Sequence, residues 1–567
     1  MAPQIHRPIN FSEASLMEER QATAMTSSVS APGALVDRAP TAVASGFYTR
    51  KASGLVREIS PNSAFWMNMT YASIPLSVLA FTLAPSAFPG VNLFWSVIII
   101  SLLSLIPVIV YGVLAATMPR SGGDYVWQSR ILHPAIGFAS NFNFTIQALF
   151  VGGGIVSTWI AGFAGSSALL TLGTVLHSNT LVRLSVHASQ RGWELAVALL
   201  FICLFGIASA LGTKITMRLM IWLYAVCMLG QLLLIAILAL TDHGSFVHSF
   251  NQYASYSKVI ALGHSAGGFT AHPASTAPTL AAMPLIYSGI GFAMVSTYCS
   301  GEIKSVKKSS LYSTCGAVLA TGVVLALLAL LAQNVFTLNF LGSITALSST
   351  KAYPLSSQPF FYLFASMTTS SSVLIVLISV AFEAGVIAGL PALFMIATRN
   401  IFAWSFDRVM PSILADVSPR TGAPVNASIL TAAVMGVSAT CYLFVPIKWT
   451  AFIAGAETMG LITFAIVGLC ALILPWRRPD IWNLSPYRWM IGRIPVISVL
   501  GLATFAIEAW LIYYLLTNKA LGANSAATLR LLPSLLVIGL LWFGGAALFA
   551  RRGGMSLVSG QKELPPE

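Results

Sequence analysis

The strongest constraint on this chain is its succession of long apolar segments. From residue 62 onward, apolar stretches of bilayer-spanning length alternate with short polar breaks. Twelve are readable, over about 62–84, 93–117, 135–165, 192–211, 216–241, 281–300, 312–333, 371–398, 425–445, 449–473, 494–516 and 530–549. A helix needs about 20 apolar residues to cross the hydrocarbon core. No backbone polar group can go unpaired in lipid, so only helices or a closed barrel can span it. The stretches are continuous rather than alternating, which selects helices and an all-α integral membrane protein of about twelve transmembrane helices. Composition agrees: 56% of the 567 residues are hydrophobic and 8% are charged, against about 25% charged in soluble domains. That balance excludes a soluble enzyme and a disordered or fibrous chain.

The net charge of +13 is no nucleic-acid footprint, because the Lys and Arg residues fall in short clusters and build no basic face with interleaved aromatics. They sort instead as membrane topology. With the N-terminus in the cytoplasm, the inner loops and C-terminal tail hold 17 of them and the outer segments hold 7. Both termini are then cytoplasmic, which requires an even number of spans. Residues 1–60, polar and of mixed charge, read as a disordered cytoplasmic tail rather than a secretory signal, and 551–567 as a short cytoplasmic C-terminal tail. All six cysteines lie within apolar runs without CxxC spacing and read as small buried hydrophobes. The outer segments near 166–191, 242–280 and 334–370 hold six of the eight histidines, His177, His187, His243, His248, His264 and His272. Few carboxylates accompany them, a balance suited to an acidic exterior.

Two features point to function. Charge inside a bilayer is costly, so intramembrane acids are candidates to bind and release protons. Glu383, Glu457 and Glu508 lie in the eighth, tenth and eleventh stretches. A carboxyl hydrogen-bonded to a neighbouring helix is the alternative reading, favoured most for Glu508. The second feature is helix breakers. Tyr71-Ala72-Ser73-Ile74-Pro75 interrupts the first stretch and Ser288-Gly289-Ile290-Gly291-Phe292 the sixth. Interrupted helices at corresponding places in two five-helix halves are a pointer to a transport site; close helix packing through small residues is the alternative.

At these residues the chain resembles the amino acid–polyamine–organocation superfamily of secondary transporters. Pro119-Arg120-Ser121-Gly122-Gly123-Asp124-Tyr125, followed by Arg130, Pro134 and Gly137, is similar to that family's loop after the second helix. Gly289-Ile290-Gly291-Phe292 with Gly301-Glu302-Ile303-Lys304 is similar to its sixth helix and exit. Arg399-Asn400-Ile401-Phe402-Ala403 with Asp407-Arg408-Val409-Met410-Pro411, and Arg420-Thr421-Gly422-Ala423-Pro424, carry the rest. Order and spacing fit over about 55–475.

The resemblance implies a LeuT-type architecture: a ten-helix core over 61–475, built as inverted repeats (about 61–241 and 281–475), with broken helices 1 and 6 and with peripheral helices 11 and 12 over 476–550. It implies a substrate site at Ala72, Ser73 and Ile74 of helix 1, Gln147 and Gly152 of helix 3, Tyr287, Ser288, Gly289, Ile290, Gly291 and Phe292 of helix 6, and Leu393 of helix 8. Tyr287 or Phe292 would stack over the substrate or gate it. Proton coupling would fall to Glu457 first and Glu383 second, and a cytoplasmic gate to Arg120, Gly122, Gly123, Glu302 and Asp407. Three departures stand out. Ile74-Pro75-Leu76 replaces the usual glycine-rich break, and proline supplies no N–H. Ala293 replaces an acid often found after Gly-Phe. The fifth helix carries Cys227 and Gln231 where some members carry a lysine.

The function expected is therefore a secondary active transporter in the plasma membrane. It would move amino acids, neutral or apolar, by alternating access with proton symport or exchange. Polyamines or another small organic solute are the alternative. The expected partners are that solute, the proton and the lipid bilayer. No cofactor or metal is expected, and no enzyme: HExxH, GxSxG, Walker A and clustered metal-ligand spacings are missing from the sequence. No filter-like segment or charge ring suggests a channel.

Overall fold

The computed structural model describes residues 54–176, 178–355, 358–369, 371–445, 449–554 and 556–561. Residues 1–53 of the expected N-terminal tail, together with His177, Lys448 and Lys562, lie outside the described residues. Among the described residues twelve helices are long and apolar enough to cross a membrane: Pro61–Ala87, Leu93–Thr117, Pro134–Thr174, Arg191–Leu211, Thr213–Ala239, Thr276–Glu302, Val306–Val335, Ser372–Phe406, Val425–Phe444, Gly455–Arg477, Val496–Thr517 and Ala526–Arg552. They are called spans 1 to 12 below. The one sheet among the described residues is a two-stranded hairpin, Met490–Ile491 with Ile494–Pro495, ahead of span 11.

Local chemistry sets where the spans begin. Span 1 starts with Pro61, and Ser60 Oγ accepts from the Ser63 N–H at 3.1 Å. Asn92 Oδ1 accepts from the Trp95 N–H at 3.1 Å ahead of span 2. His133 Nδ1 accepts from the Ala135 N–H at 3.2 Å, with Pro134 at the first turn of span 3. Each cap satisfies an amide that the helix itself leaves orphaned.

The distribution of polarity is the reverse of a soluble protein's. Trp222 and Phe549 are 73% and 79% exposed, whereas Asn68, Asn143 and Glu508 are fully enclosed. Apolar side chains therefore face outward to lipid, and polar ones face one another inside. Spans 1, 6, 10 and 3 form the centre, with 72, 78, 72 and 67% of their apolar windows buried, against 17% for span 12. Around them span 2 packs along span 7, span 4 along span 9, span 5 along span 8, span 10 along span 11, and span 12 along span 3.

At the end of the bundle where span 1 finishes, the connecting segments fold as short helices. Two of them, His243–Phe250 and Tyr256–Ser265, pack against Leu338–Leu347 and the end of span 7 through aromatic contacts. Phe246 lies 4.8 Å from Phe336, Phe250 4.9 Å from Phe340, and Tyr256 stacks on Phe340 at 5.1 Å, centroid to centroid. His243 Nδ1 and His264 Nδ1 are hydrogen-bonded to the carbonyls of Val335 and Phe269, at 2.8 and 2.7 Å.

Candidate functional site

Span 1 is broken as its sequence suggests. Its first helix ends at Tyr71, and the second begins at Ile74. Between them Ser73 adopts φ +39°, a left-handed conformation that costs a side-chain-bearing residue about 1–2 kcal/mol. Pro75 in the first turn of the second helix needs no N–H partner, which favours a fresh start there. Asn68, one turn before the break, holds three spans together. Its Nδ2 donates to the Ser313 carbonyl of span 7 at 2.9 Å, and its Oδ1 accepts from the Ser296 N–H of span 6 at 2.8 Å.

Span 6 breaks later than its sequence suggests. Its helix runs through Ile290, opens over residues 291–294, and continues as a 3₁₀ helix from Val295 to Glu302. Tyr287, Ser288, Gly289 and Ile290 are thus helical, and of the expected set Gly291 and Phe292 lie at the opening. The two glycines serve packing instead. A side chain on Gly289 would collide with Ser77 Oγ and lie 2.8 Å from the Ala72 carbonyl oxygen, and one on Gly291 would strike the Tyr287 ring. Gly289 is thus where spans 1 and 6 touch.

Beside the two breaks lies a cavity of about 410 Å³. Spans 1, 3, 6, 8, 10 and 11 all contribute to its wall. Of the residues expected at the site, Ser73, Gln147, Ser288, Phe292, Leu393 and Glu457 line it. Ala72, Ile74, Gly152, Tyr287, Gly289, Ile290, Gly291 and Glu383 are not among its lining residues. Gly152 is wedged between spans 8 and 9, where an added Cβ would lie 3.3 Å from Leu393 Cβ and 2.7 Å from Met435 Cε. Tyr287 points away from the cavity and donates to Glu508 Oε1 at 2.6 Å. Most of the wall is apolar, including Leu76, Leu79, Ile155, Trp159 and Phe382, and among the described residues no Lys, Arg or His side chain lines it. Gln147 Oε1 and Glu457 Oε1 are buried without a hydrogen-bond partner.

Span 3 brings a feature that its sequence does not announce. Val151–Val156 and Ile160–Gly165 are π-helical, a widening that recurs at functional sites. The Gly152-Gly153-Gly154 run lets this wide coil approach span 9, with Gly153 against the Met435 backbone. Phe292 forms the base of the cavity, edge-on to Tyr71 at 5.9 Å and to Phe464 at 5.1 Å. Gly460 of span 10 makes room for it, since an added Cβ there would lie 2.9 Å from the Phe292 ring. Phe464 and Phe144 pack at 5.6 Å, and Phe144 stacks on Tyr298 at 5.4 Å, so rings fill the core from the cavity base to the opposite end.

That opposite end is closed by buried charge. Glu302 and Arg399 form a two-pronged pair, Nε to Oε1 at 2.9 Å and Nη2 to Oε2 at 2.8 Å. Thr213 Oγ1 donates to Glu302 Oε2 at 2.6 Å. Arg130 Nη2 meets Asp407 Oδ2 at 2.7 Å. Asp124 accepts from Tyr298 and Asn141 at 2.5 Å each and from Tyr111 at 3.4 Å. Burial pushes the Asp124 carboxyl up to about 6, against the opposing pull of those hydrogen bonds. Gly122 and Gly123, at φ +106° and +50°, let the chain turn tightly under Tyr298, whose carbonyl accepts from the Gly122 N–H at 2.9 Å. Arg120 contributes its carbonyl, which accepts from Ser300 Oγ at 2.8 Å. The residues expected as a gate therefore share one layer. Arg399, one of the 17 charges counted with the inner loops, joins them as a correction: it belongs to the span 8 helix and is 1% exposed. Arg130 and Asp124, read as loop residues, are buried likewise.

No curated protein matches the chain. The amino acid permease family does match it, over residues 59–540, which takes in eleven of the twelve spans whole and both broken ones. With twelve helices of membrane-spanning length built round a central cavity, this chain belongs to the amino acid permease family, within the amino acid–polyamine–organocation superfamily.

Proposed function

We propose that the protein is a secondary active transporter of amino acids with neutral or apolar side chains, working by alternating access in the plasma membrane with both termini in the cytoplasm. In this reading the core is two inverted five-helix repeats, about 61–241 and 281–475, with 476–550 peripheral. The observation that carries the reading is the 410 Å³ cavity bounded by the two interrupted spans and the buried charge layer at one end of it. The substrate's apolar part rests against Leu79, Ile155 and Phe382, and its ammonium faces the hydroxyls of Ser73 and Ser288. Its carboxylate takes the start of the second helix of span 1. Glu457 carries the coupled proton, since it is the one carboxyl among the cavity's lining residues. Alternating access then consists of parting the Glu302–Arg399 and Arg130–Asp407 layer while the cavity end closes.

One observation favours a second reading, a polyamine or another organic amine without a carboxylate. Pro75 removes an amide donor from the restart of span 1, and among the described residues no cationic side chain lines the cavity. Uptake of a panel of labelled amino acids and amines into proteoliposomes, under imposed proton or sodium gradients, separates the two. In the same vesicles Glu457→Gln is expected to abolish uptake driven by a pH gradient and to leave exchange intact; unchanged driven uptake would remove Glu457 from the mechanism.

A further inference from the structure

Between spans 10 and 11 the chain presents an apolar face to the outside. In the hairpin of Met490–Ile491 and Ile494–Pro495, Ile491 pairs with Ile494, and the Val496 N–H donates to the Trp489 carbonyl at 2.9 Å. Successive side chains of a strand point to opposite faces, so Trp489, Ile491 and Ile494 share one face. They are 46, 64 and 53% exposed. Arg488 precedes Trp489, and Arg493 stands in the turn after Gly492, which has φ +60°. Both arginines are exposed and make no hydrogen bond or ion pair among the described residues. No Asp or Glu occurs from Ile481 to Ile507, and Asp480 is held by Arg478 at 2.8 Å.

A two-stranded hairpin is marginally stable at best in water, so an uncovered apolar face on one calls for a second surface. Its place in the fold says which. Thr117 Oγ1, at the end of span 2, donates to Ser485 Oγ at 2.9 Å, and Arg478 Nη1 donates to the Arg130 carbonyl at 2.8 Å. The segment therefore lies at the end of the bundle closed by buried charge. Past the hairpin the apolar exposure runs on into span 11 through Val499 and Leu502. A face continuous with lipid-facing side chains and flanked by two cations suits the interfacial zone of a bilayer, where Trp and Arg anchor the ends of spans. We propose that the hairpin is a docking surface for anionic phospholipid. Trp489, Ile491 and Ile494 enter the acyl boundary, and Arg488 and Arg493 hold headgroup phosphates, which the planar guanidinium matches with two parallel bonds. In the orientation proposed above this is the cytoplasmic leaflet, the one rich in anionic lipid. A second copy of the chain suits the face less well, because a two-fold contact sets each patch against itself and brings like charges together.

The experiment titrates the full chain in mild detergent with phosphatidylglycerol, with phosphatidylcholine of the same acyl chains and with glycerol 3-phosphate, and counts bound molecules by native mass spectrometry. Wild type is expected to prefer phosphatidylglycerol. Arg488→Gln combined with Arg493→Gln is expected to weaken phosphatidylglycerol binding about 25-fold, about fivefold for each charge, and to leave phosphatidylcholine binding unchanged. Ile491→Ser is expected to weaken both lipids. Arg493→Glu, a single change in the turn, gives the same reading if the double variant fails to fold. Equal binding of the two lipids by wild type, or unchanged phosphatidylglycerol binding in the double variant, overturns the proposal. Glycerol 3-phosphate bound as tightly as the lipid also overturns it, since the site would then serve a free anion. So does a dimer in the same spectra that Ile491→Ser abolishes while lipid binding persists.

Discussion

Replacing Glu302 by Gln tests the closed end of the bundle. In the wild type Arg399 makes four hydrogen bonds to three partners: Nε and Nη2 donate to the carboxylate of Glu302, Nη2 also to Thr213 Oγ1 at 2.6 Å, and Nη1 to Thr398 Oγ1 at 3.0 Å. Both side chains are 1% exposed. A glutamine keeps the shape and leaves the guanidinium buried beside a neutral group. Removing one member of a buried pair costs about 3–5 kcal/mol, most of it the stranded charge. Opening this end to water relieves that cost, so the open form gains about two to three and a half decades in relative population at about 1.4 kcal/mol per decade. A native reporter lies next to the pair. Cys299 is fully buried within the 3₁₀ helix that ends at Glu302. Alkylation of Cys299 by a water-soluble maleimide in detergent solution, read peptide by peptide by mass spectrometry, should accelerate at least a hundredfold in Glu302→Gln. The rate levels off once the open form is the majority species. Glu302→Gln combined with Arg399→Met removes both charges and should bring the rate back toward wild type. Unchanged labelling in the single variant, or equally fast labelling in the double variant, would refute the assignment of this pair as a lock.

Two further outcomes follow from the same interior. Asp124 binds its proton more tightly while buried, with a value pushed up to about 6 from the 3.8 of a free side chain. Its contribution to the closed arrangement is therefore full below 3.8 and lost as pH rises through about 6. Cys299 labelling should slow as pH is lowered across that window once corrected for thiol ionisation, and Asp124→Asn should remove the dependence. Gly153→Ala should destabilise the protein by at least about 1–3 kcal/mol, because the new methyl meets the backbone of Met435, including its Cα at 2.6 Å, rather than a side chain able to move. A thermal shift assay in detergent reads the loss, and a melting temperature equal to wild type would show that span 9 can slide away.

The twelve spans are legible because length and hydrophobicity are local properties, and each helix must satisfy its own backbone. The break in span 1 is legible for a similar reason, since Pro75 restricts the chain wherever it stands. The opening of span 6 is legible in its neighbourhood, since the Ser288–Phe292 run marks a break, but its start at Gly291 is not, because Gly289 stays helical and is explained only by Ser77 across the interface. Charge was misleading for the same physical reason. A tally of Lys and Arg cannot tell a solvated loop from a buried pair whose partner is remote: Arg399 finds Glu302 across 97 positions, and Arg130 finds Asp407 across 277. The sequence of span 11 suits Glu508 to bonding a neighbouring helix, and its Tyr287 partner has that form, yet nothing local identifies which tyrosine or its place beside the break. The π-helical stretches of span 3 lie beyond pattern reading altogether, because the i→i+5 bonding of Val151–Val156 leaves no mark in a uniformly apolar run.

In the alternating access proposed above, the short segment ahead of span 1 bears on how the two interrupted helices would travel. Ile59 runs parallel to Ile303, with the Ile59 N–H donating to the Glu302 carbonyl at 2.9 Å and the Lys304 N–H donating to the Ile59 carbonyl at 2.8 Å. This stitch ties the foot of the first helix to the tail of the sixth, and Asn68 rivets the same two pieces one storey higher. Fastened at two heights, they are levers on a common axle, so neither can swing alone without tearing main-chain bonds that have no ready substitute in an apolar setting.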